Sequence, residues 1–285
     1  MKQISYRGLK LFFRDKGGVF FSLLGVIIIF ALFLFFIGDS IMEGLDFLEN
    51  VEELMNAWVV AGMLASSGIT TSMGAYAVMV SDKEQKNGKD FYSSPLKKRD
   101  IVGGYMITGF IISVIMTALT FIFGEIYIVA QGGSILEPIK ILQVGGIILL
   151  SSLSSSALVC FLVSFLKTVN AYTTVSIILG TLIGFLIGAY VCIGNLPSGV
   201  QMVMKCFPCA HAAVLFRQIM MEDAMTAGFV DLPNSTLMEF QETVGVIFRY
   251  EQQIAEPWVH ISVLIISGIC FYLLAIMNIS HGKKQ

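Results

Sequence analysis

Apolar residues in this chain run continuously instead of alternating or forming narrow stripes. Six stretches lack Asp, Glu, Lys and Arg: Gly18 to Ile37, Leu54 to Val80, Ile101 to Gly124, Ile141 to Leu166, Thr168 to Met204 and Pro257 to Ser280. Each reaches the roughly 20 residues that a helix needs to cross about 30 Å of hydrocarbon. Lipid offers no hydrogen-bond partners, so only helices and closed barrels span it, and unbroken runs are the helical signal. The pattern predicts an all-α membrane protein, a single transmembrane domain over 1–285, with helices at 17–38, 54–80, 101–128, 141–166, 171–194 and 257–280. The first run follows a basic start, but it is longer than a signal-peptide core and no small-x-small cleavage site follows, so it reads as a retained helix.

Composition agrees: 56% of residues are hydrophobic and 13% charged, against about a quarter charged in soluble domains. The net charge of −2 points to no nucleic-acid partner. The placement of the charges says more. Lys2, Arg7, Lys10, Arg14 and Lys16 precede the first run, Lys83, Lys86, Lys89, Lys97, Lys98 and Arg99 lie between the second and third, Lys167 between the fourth and fifth, and Lys283 and Lys284 close the chain. An excess of Lys and Arg marks the cytoplasmic face, which puts both termini inside. The opposite face carries Asp39, Glu43, Asp46, Glu49, Glu52 and Glu53 in its first loop, and an acidic segment over 195–256. That loop reads as a solvated outer loop, since no ligand spacing for a cation is evident.

The most polar stretch is SDKEQKNGKDFYSSPLKKRD, Ser81 to Asp100, the one sizeable cytoplasmic connection. A cytoplasmic partner that acts on the membrane domain must act largely here. Asp82 to Tyr92 is mostly helix-permissive, and Phe91 and Tyr92 supply aromatic anchors of the kind that dominate interfaces. Ser94 and Pro95 suit an N-cap and a first helical position. The alternative is a solvated loop whose lysines only set topology. In the N-terminal segment Arg7, Lys10 and Arg14 share one helical stripe, with Ile4, Leu11 and Phe12 turned away, the pattern of an interfacial helix.

These residues resemble the permease subunits of type-2 ATP-binding-cassette exporters. The likeness rests on the basic N-terminal segment, a transmembrane pair, and an inner loop containing Glu84, Gly88, Asp90, Phe91, Tyr92, Ser93, Ser94, Pro95, Lys97, Lys98, Gly103, Gly104 and Tyr105. The stretch FPCAHAAVLFRQIMM, with Pro208, His211 and Arg217, is similar to the same family. Asn87-Gly88-Lys89 departs from it, since many members carry an acidic-basic-acidic triplet there. The resemblance implies that 82–94 is a coupling loop seated in a groove on an ATPase subunit, with Glu84, Gly88, Asp90, Phe91, Tyr92 and Pro95 at the contact. It also implies that 1–16 is a connecting helix on the inner membrane surface.

No GxxxxGK[ST] occurs, so this chain holds no phosphate-cradling loop; any ATP and Mg belong to a partner polypeptide, and no cofactor or metal is expected here. Secondary transport is disfavoured. Only Glu125 lies within an apolar helix, near its outer end, and the halves do not match as repeats. The scattered His211, His260 and His281 and the absence of HExxH argue against an embedded enzyme.

Cys206 and Cys209 read as small apolar fillers, with a disulfide as the alternative. Gly180, Gly184 and Gly188 recur every four residues, which suits either intrachain packing or a subunit interface; the family resemblance supports the interface. Ser151, Ser152, Ser154, Ser155 and Ser156 read as helix-packing hydroxyls, or else as the lining of a polar path. Within the extracellular segment the residues predict helices over 208–227 and 237–253, with Thr236 and Glu239 as a capping box.

The expected function is the transmembrane half of an exporter in a bacterial plasma membrane, moving an amphipathic cargo such as a drug, peptide or lipid. It would pair with a second permease chain, contact membrane lipid, and be driven by two copies of a cytoplasmic ATP-binding subunit. The alternative is an ATP-independent scaffold or immunity protein.

Overall fold

The computed structural model describes residues 1–45, 48, 50–85, 98–250 and 253–281, and these form an almost wholly helical bundle. Helix α1 spans Lys2–Arg14, and Asp15 then caps α2, Lys16–Ser22, by accepting from Gly18 N at 3.0 Å. Next come α3, Leu24–Leu32, a π-helical turn over Phe33–Ile37, and the short α4, Gly38–Met42. The long helices are α5, Val51–Glu84; α6, Lys98–Ala130; α7, Pro138–Ser164; and α8, Val169–Leu186. Beyond them lie α9, Ser198–Lys205; α10, Pro208–Met220; α11, Glu222–Gly228; and α12, Asn234–Val244. A two-residue ribbon, β1 Arg249–Tyr250 with β2 Gln253–Ile254, precedes the last helix α13, Pro257–His281.

Five helices are long and apolar enough to cross a membrane, and two bent pairs also pass when each is taken as one span. The first pair, Lys16–Ser22 with Leu24–Ile37, bends by 41° and covers the expected first span. Its bend follows from Ser22, whose hydroxyl turns back to the Val19 carbonyl at 2.7 Å, with Gly25 just beyond. The second pair, Ser198–Lys205 with Pro208–Met220, bends by 89° and lies in the segment expected outside the membrane.

Helix α5 is the hub: 83% of its apolar window is buried, against 17% for α8 and 22% for α13. Its small and hydroxyl residues explain this. Ser66, Ser67, Thr71 and Ser72 are all buried, and Ser67 meets Thr120 and Thr117 of α6 at 3.3 Å. Ser151, Ser152, Ser154, Ser155 and Ser156 of α7 are buried as well; Ser156 bonds Tyr76 of α5 at 3.0 Å and Ser154 bonds Ser267 of α13 at 2.8 Å. These contacts are of the interhelical packing kind.

Three sequence expectations meet a different outcome. Helix α8 ends at Leu186, short of residue 194, because Gly188 takes φ +65° and the Ala189 N–H closes back on Gly184 O at 2.8 Å. The expected 208–227 helix breaks at Met221 into α10 and α11. The capping box at Thr236 and Glu239 does not form: Pro233 opens α12 three residues earlier, with no side-chain cap, and Gly245 at φ +74° ends it well before 253. Cys206 and Cys209 are both free thiols, one exposed and one buried.

Candidate functional site

The basic end of the bundle is organised by three consecutive residues, Asp82, Lys83 and Glu84, in the last turn of α5. Asp82 is 5% exposed and accepts two hydrogen bonds from Arg7 of α1, at 2.7 and 2.8 Å, and a third from the Tyr105 hydroxyl of α6 at 2.6 Å. Parallel fork-on-carboxylate contacts of this kind are the strong, directional sort. The Asp82 hydrogen bonds hold the Arg7 guanidinium above its ordinary pKa. Lys83 Nζ donates to the carbonyls of Val163 and Ser164 at 3.2 Å and of Leu166 at 3.4 Å, so its charge caps the C-terminus of α7. Glu84 Oε1 accepts from Val169 N at 3.3 Å, an acid at the N-terminus of α8. One turn of helix therefore holds α1, α6, α7 and α8.

The seat of α1 explains the Gly103-Gly104-Tyr105 signature. Ser5 Oγ donates to Gly104 O at 3.0 Å, and Thr108 Oγ1 donates to Gly104 O at 2.9 Å and to Ser5 O at 3.4 Å. A Cβ on Gly104 would stand 2.8 Å from Ile4 Cβ, and one on Gly8 2.7 Å from Thr108 Cγ2, so both glycines permit backbone approach. Gly104→Val therefore lifts α1 from its groove, at about 1–3 kcal/mol for overpacking. Limited trypsinolysis at Arg7, Lys10 and Arg14 in the full-length protein should be correspondingly faster; an unchanged rate would show that α1 is held elsewhere.

Helix α1 departs from the expected stripes at Arg7 and Leu11. It buries Ile4, Ser5, Gly8 and Phe12, while Tyr6, Leu11 and Phe13 are exposed, and Arg7 turns inward because the buried Asp82 needs a counter-charge. Asn278 near the end of α13 donates to Ser164 at 2.6 Å, so the first helix and the end of the last lie at this same end.

Of the expected coupling residues, Glu84 takes part in this cluster. Gly88, Asp90, Phe91, Tyr92 and Pro95 lie outside the described residues. Asp82 and Lys83 close α5 instead of opening a separate helix. The Arg7–Asp82–Tyr105 cluster was not legible, because 75 positions separate the two charges. Its one signal was an acid placed directly after a long uncharged run.

The three glycines in and just beyond α8 have three environments. Gly180 faces open space, Gly184 is covered by the Tyr190 ring, and Gly188 supplies the left-handed residue that ends the helix. Gly180 lines a largely apolar cleft of about 460 Å³ between α2–α3, α5 and α8, with Phe21, Ile28, Met73, Tyr172 and Ile177 among its walls. Ile178, Leu182 and Phe185 of α8, and Phe20 and Ile27 of the first bent pair, are exposed beside it.

At the other end, Arg217 of α10 is 2% exposed and donates to Ile187 O and Gly188 O, both at 3.0 Å, and to Gly245 O at 3.4 Å. Its guanidinium lies 4.9 Å from the Trp58 ring centre, and Trp58 Nε1 donates to Val244 O at 2.8 Å. One buried cation thus receives the C-terminal carbonyls of α8 and α12. Glu125 accepts from Leu136 N at 3.3 Å beside the turn after α6.

A family model described as ABC-2 family transporter protein matches residues 45–277. No curated protein matches the chain.

Proposed function

Since the chain belongs to the ABC-2 family of transporter proteins and is its multi-pass permease component, we propose that it is the membrane half of an ATP-driven exporter in a bacterial plasma membrane. Two copies of a cytoplasmic ATP-binding subunit supply ATP hydrolysis and hold the ATP and Mg, and a second permease chain, identical or homologous, completes the complex. The observation that carries this reading is the triad Asp82-Lys83-Glu84, which ties four helices to the root of the loop over 86–97. A push that arrives at the end of α5 is passed by these contacts to α1, α6, α7 and α8. Movement of α8 against the first bent pair changes the apolar cleft beside Gly180, whose Phe, Ile and Met walls suit an amphipathic cargo. The exposed apolar face of α8, including Gly180, is the proposed seam with the second permease chain.

Replacing Phe91 and Tyr92 together by Ala should abolish transport-coupled ATP hydrolysis while membrane insertion is kept. The assay is affinity purification in mild detergent, with mass spectrometry of the retained chains and ATPase activity of the eluate. A stoichiometric ATP-binding subunit that is lost from the double variant supports the reading. Unchanged recovery and coupling would remove the loop from the mechanism.

A further inference from the structure

His211 on α10 and His260 on α13 meet ring to ring where the 195–256 segment crosses the last helix. Their Nδ1 atoms are 2.7 Å apart, and the two side chains are 2% and 0% exposed. His211 Nε2 lies 2.8 Å from the Lys205 carbonyl, an acceptor only, so that nitrogen carries a hydrogen. A neutral His211 then has a bare Nδ1, and the hydrogen in the short contact belongs to Nδ1 of His260. This leaves Nε2 of His260 as the bare nitrogen, buried and outside good hydrogen-bond geometry, with the Ala255 backbone beside the ring. Phe248 packs edge-on against both rings, at 5.5 and 5.6 Å between centres.

We propose that this pair is a proton-binding site: neutral, it latches α10 onto α13, and protonated, it lets the two helices part. The first added proton has one place to go, Nε2 of His260, and no carboxylate is bonded there. The charged and titratable groups around the pair are otherwise engaged or bonded to neither ring. Lys205 Nζ donates to Arg249 O at 2.8 Å beside the Phe248 and Tyr250 rings, and Arg249 pairs with Glu242. Glu256, at the start of α13, accepts from Trp258 Nε1 at 2.9 Å, and Lys140 of α7 is held by Glu222 and Asp223. Cys209 and Arg217, on the same helix as His211, face neither ring with a hydrogen bond.

An imidazolium enclosed here has no counter-charge, which is unfavourable in a buried site. A second added proton sets two N–H groups against each other across 2.7 Å, which the contact cannot accommodate. Both problems disappear when His260 swings out to water. Exposed imidazoles take up protons near pH 6.5, so acid draws the equilibrium toward the parted state. The site stands on the rings alone; on the export reading, its opening loosens the 195–256 segment from the last helix.

The test is nitrogen-15 NMR of histidine-labelled full-length protein in lipid vesicles, where His281 serves as the comparison ring. At about pH 7.5 one ring should show the Nδ1–H tautomer, one the Nε2–H tautomer, with a coupling between them; at about pH 5 the coupling should be lost. Hydrogen exchange of residues 208–220, corrected for intrinsic rates, should quicken by up to about tenfold per pH unit, the limit set by one linked proton. His260→Gln should remove the Nδ1–H signal and flatten that dependence. A pair that titrates independently like His281, or that stays coupled with unchanged exchange at about pH 5, overturns the proposal, and neither outcome bears on export itself.

Discussion

On the export reading, Asp82→Asn is expected to uncouple ATP hydrolysis from transport in a protein that still inserts and assembles. The amide fills the same space, but it faces the Arg7 fork and the Tyr105 hydroxyl without a charge. Hydrogen bonds to charged groups contribute about 1.5–3 kcal/mol, and the lower half of that range fits here because the Arg7 side chain is 39% exposed and can recover water. A loss of about 2 kcal/mol shifts the seated fraction of α1 by roughly 30-fold. The readouts are transport per ATP in proteoliposomes and tryptic cleavage at Arg7. Arg7→Lys, which keeps the charge and loses the fork, should fall between the two. Normal coupling together with normal tryptic resistance in Asp82→Asn would falsify the role given to this carboxylate.

The largest stability effect should come from Arg217→Met. The thioether fills most of the volume but donates nothing, so the carbonyls of Ile187, Gly188 and Gly245 lose their donor inside the protein. At about 1–3 kcal/mol for each buried group left unsatisfied, the change destabilises by on the order of 4 kcal/mol. In a chain of this size that is about 10 °C in the unfolding midpoint, which a fluorescence-detected melt in detergent resolves. Arg217→Lys reaches fewer carbonyls and should lose less. Gly245 adds a second check, since an added Cβ there would stand 2.9 Å from the Arg217 Nη1 atom at a backbone angle of φ +74°. A midpoint within a degree or two of the parent would mean that the two helix ends are held by Trp58 and packing instead.

The spans were legible because bilayer thickness sets a length that a continuous apolar run either meets or does not. Val51–Glu84 and Pro257–His281 lie where uncharged stretches predict them. The end of α8 was less legible, since nothing from Leu182 to Ile193 is polar enough to mark a stop, and the stop is conformational, at Gly188. The 195–256 segment misled for a related reason. Helix signals there come from side chains, but its breaks are set by Pro233, Gly245 and tertiary partners such as Arg217. At the candidate site, Glu84 was singled out from its neighbours in sequence. Asp82 and Arg7 are joined only through the packing of α1 on α6, and no local spacing encodes a contact between residues so far apart.

The enclosed position of α5 also bears on how the chain is made. Its apolar window is the least hydrophobic of the five long helices; Ser66, Thr71 and Ser72 return their hydroxyls to its own carbonyls, while Ser67 meets Thr117 and Thr120 of α6, a helix synthesised after it. When α5 leaves the ribosome, α6 does not yet exist to receive Ser67. Its entry into lipid is therefore marginal on composition alone, and its final place depends on the arrival of its successors.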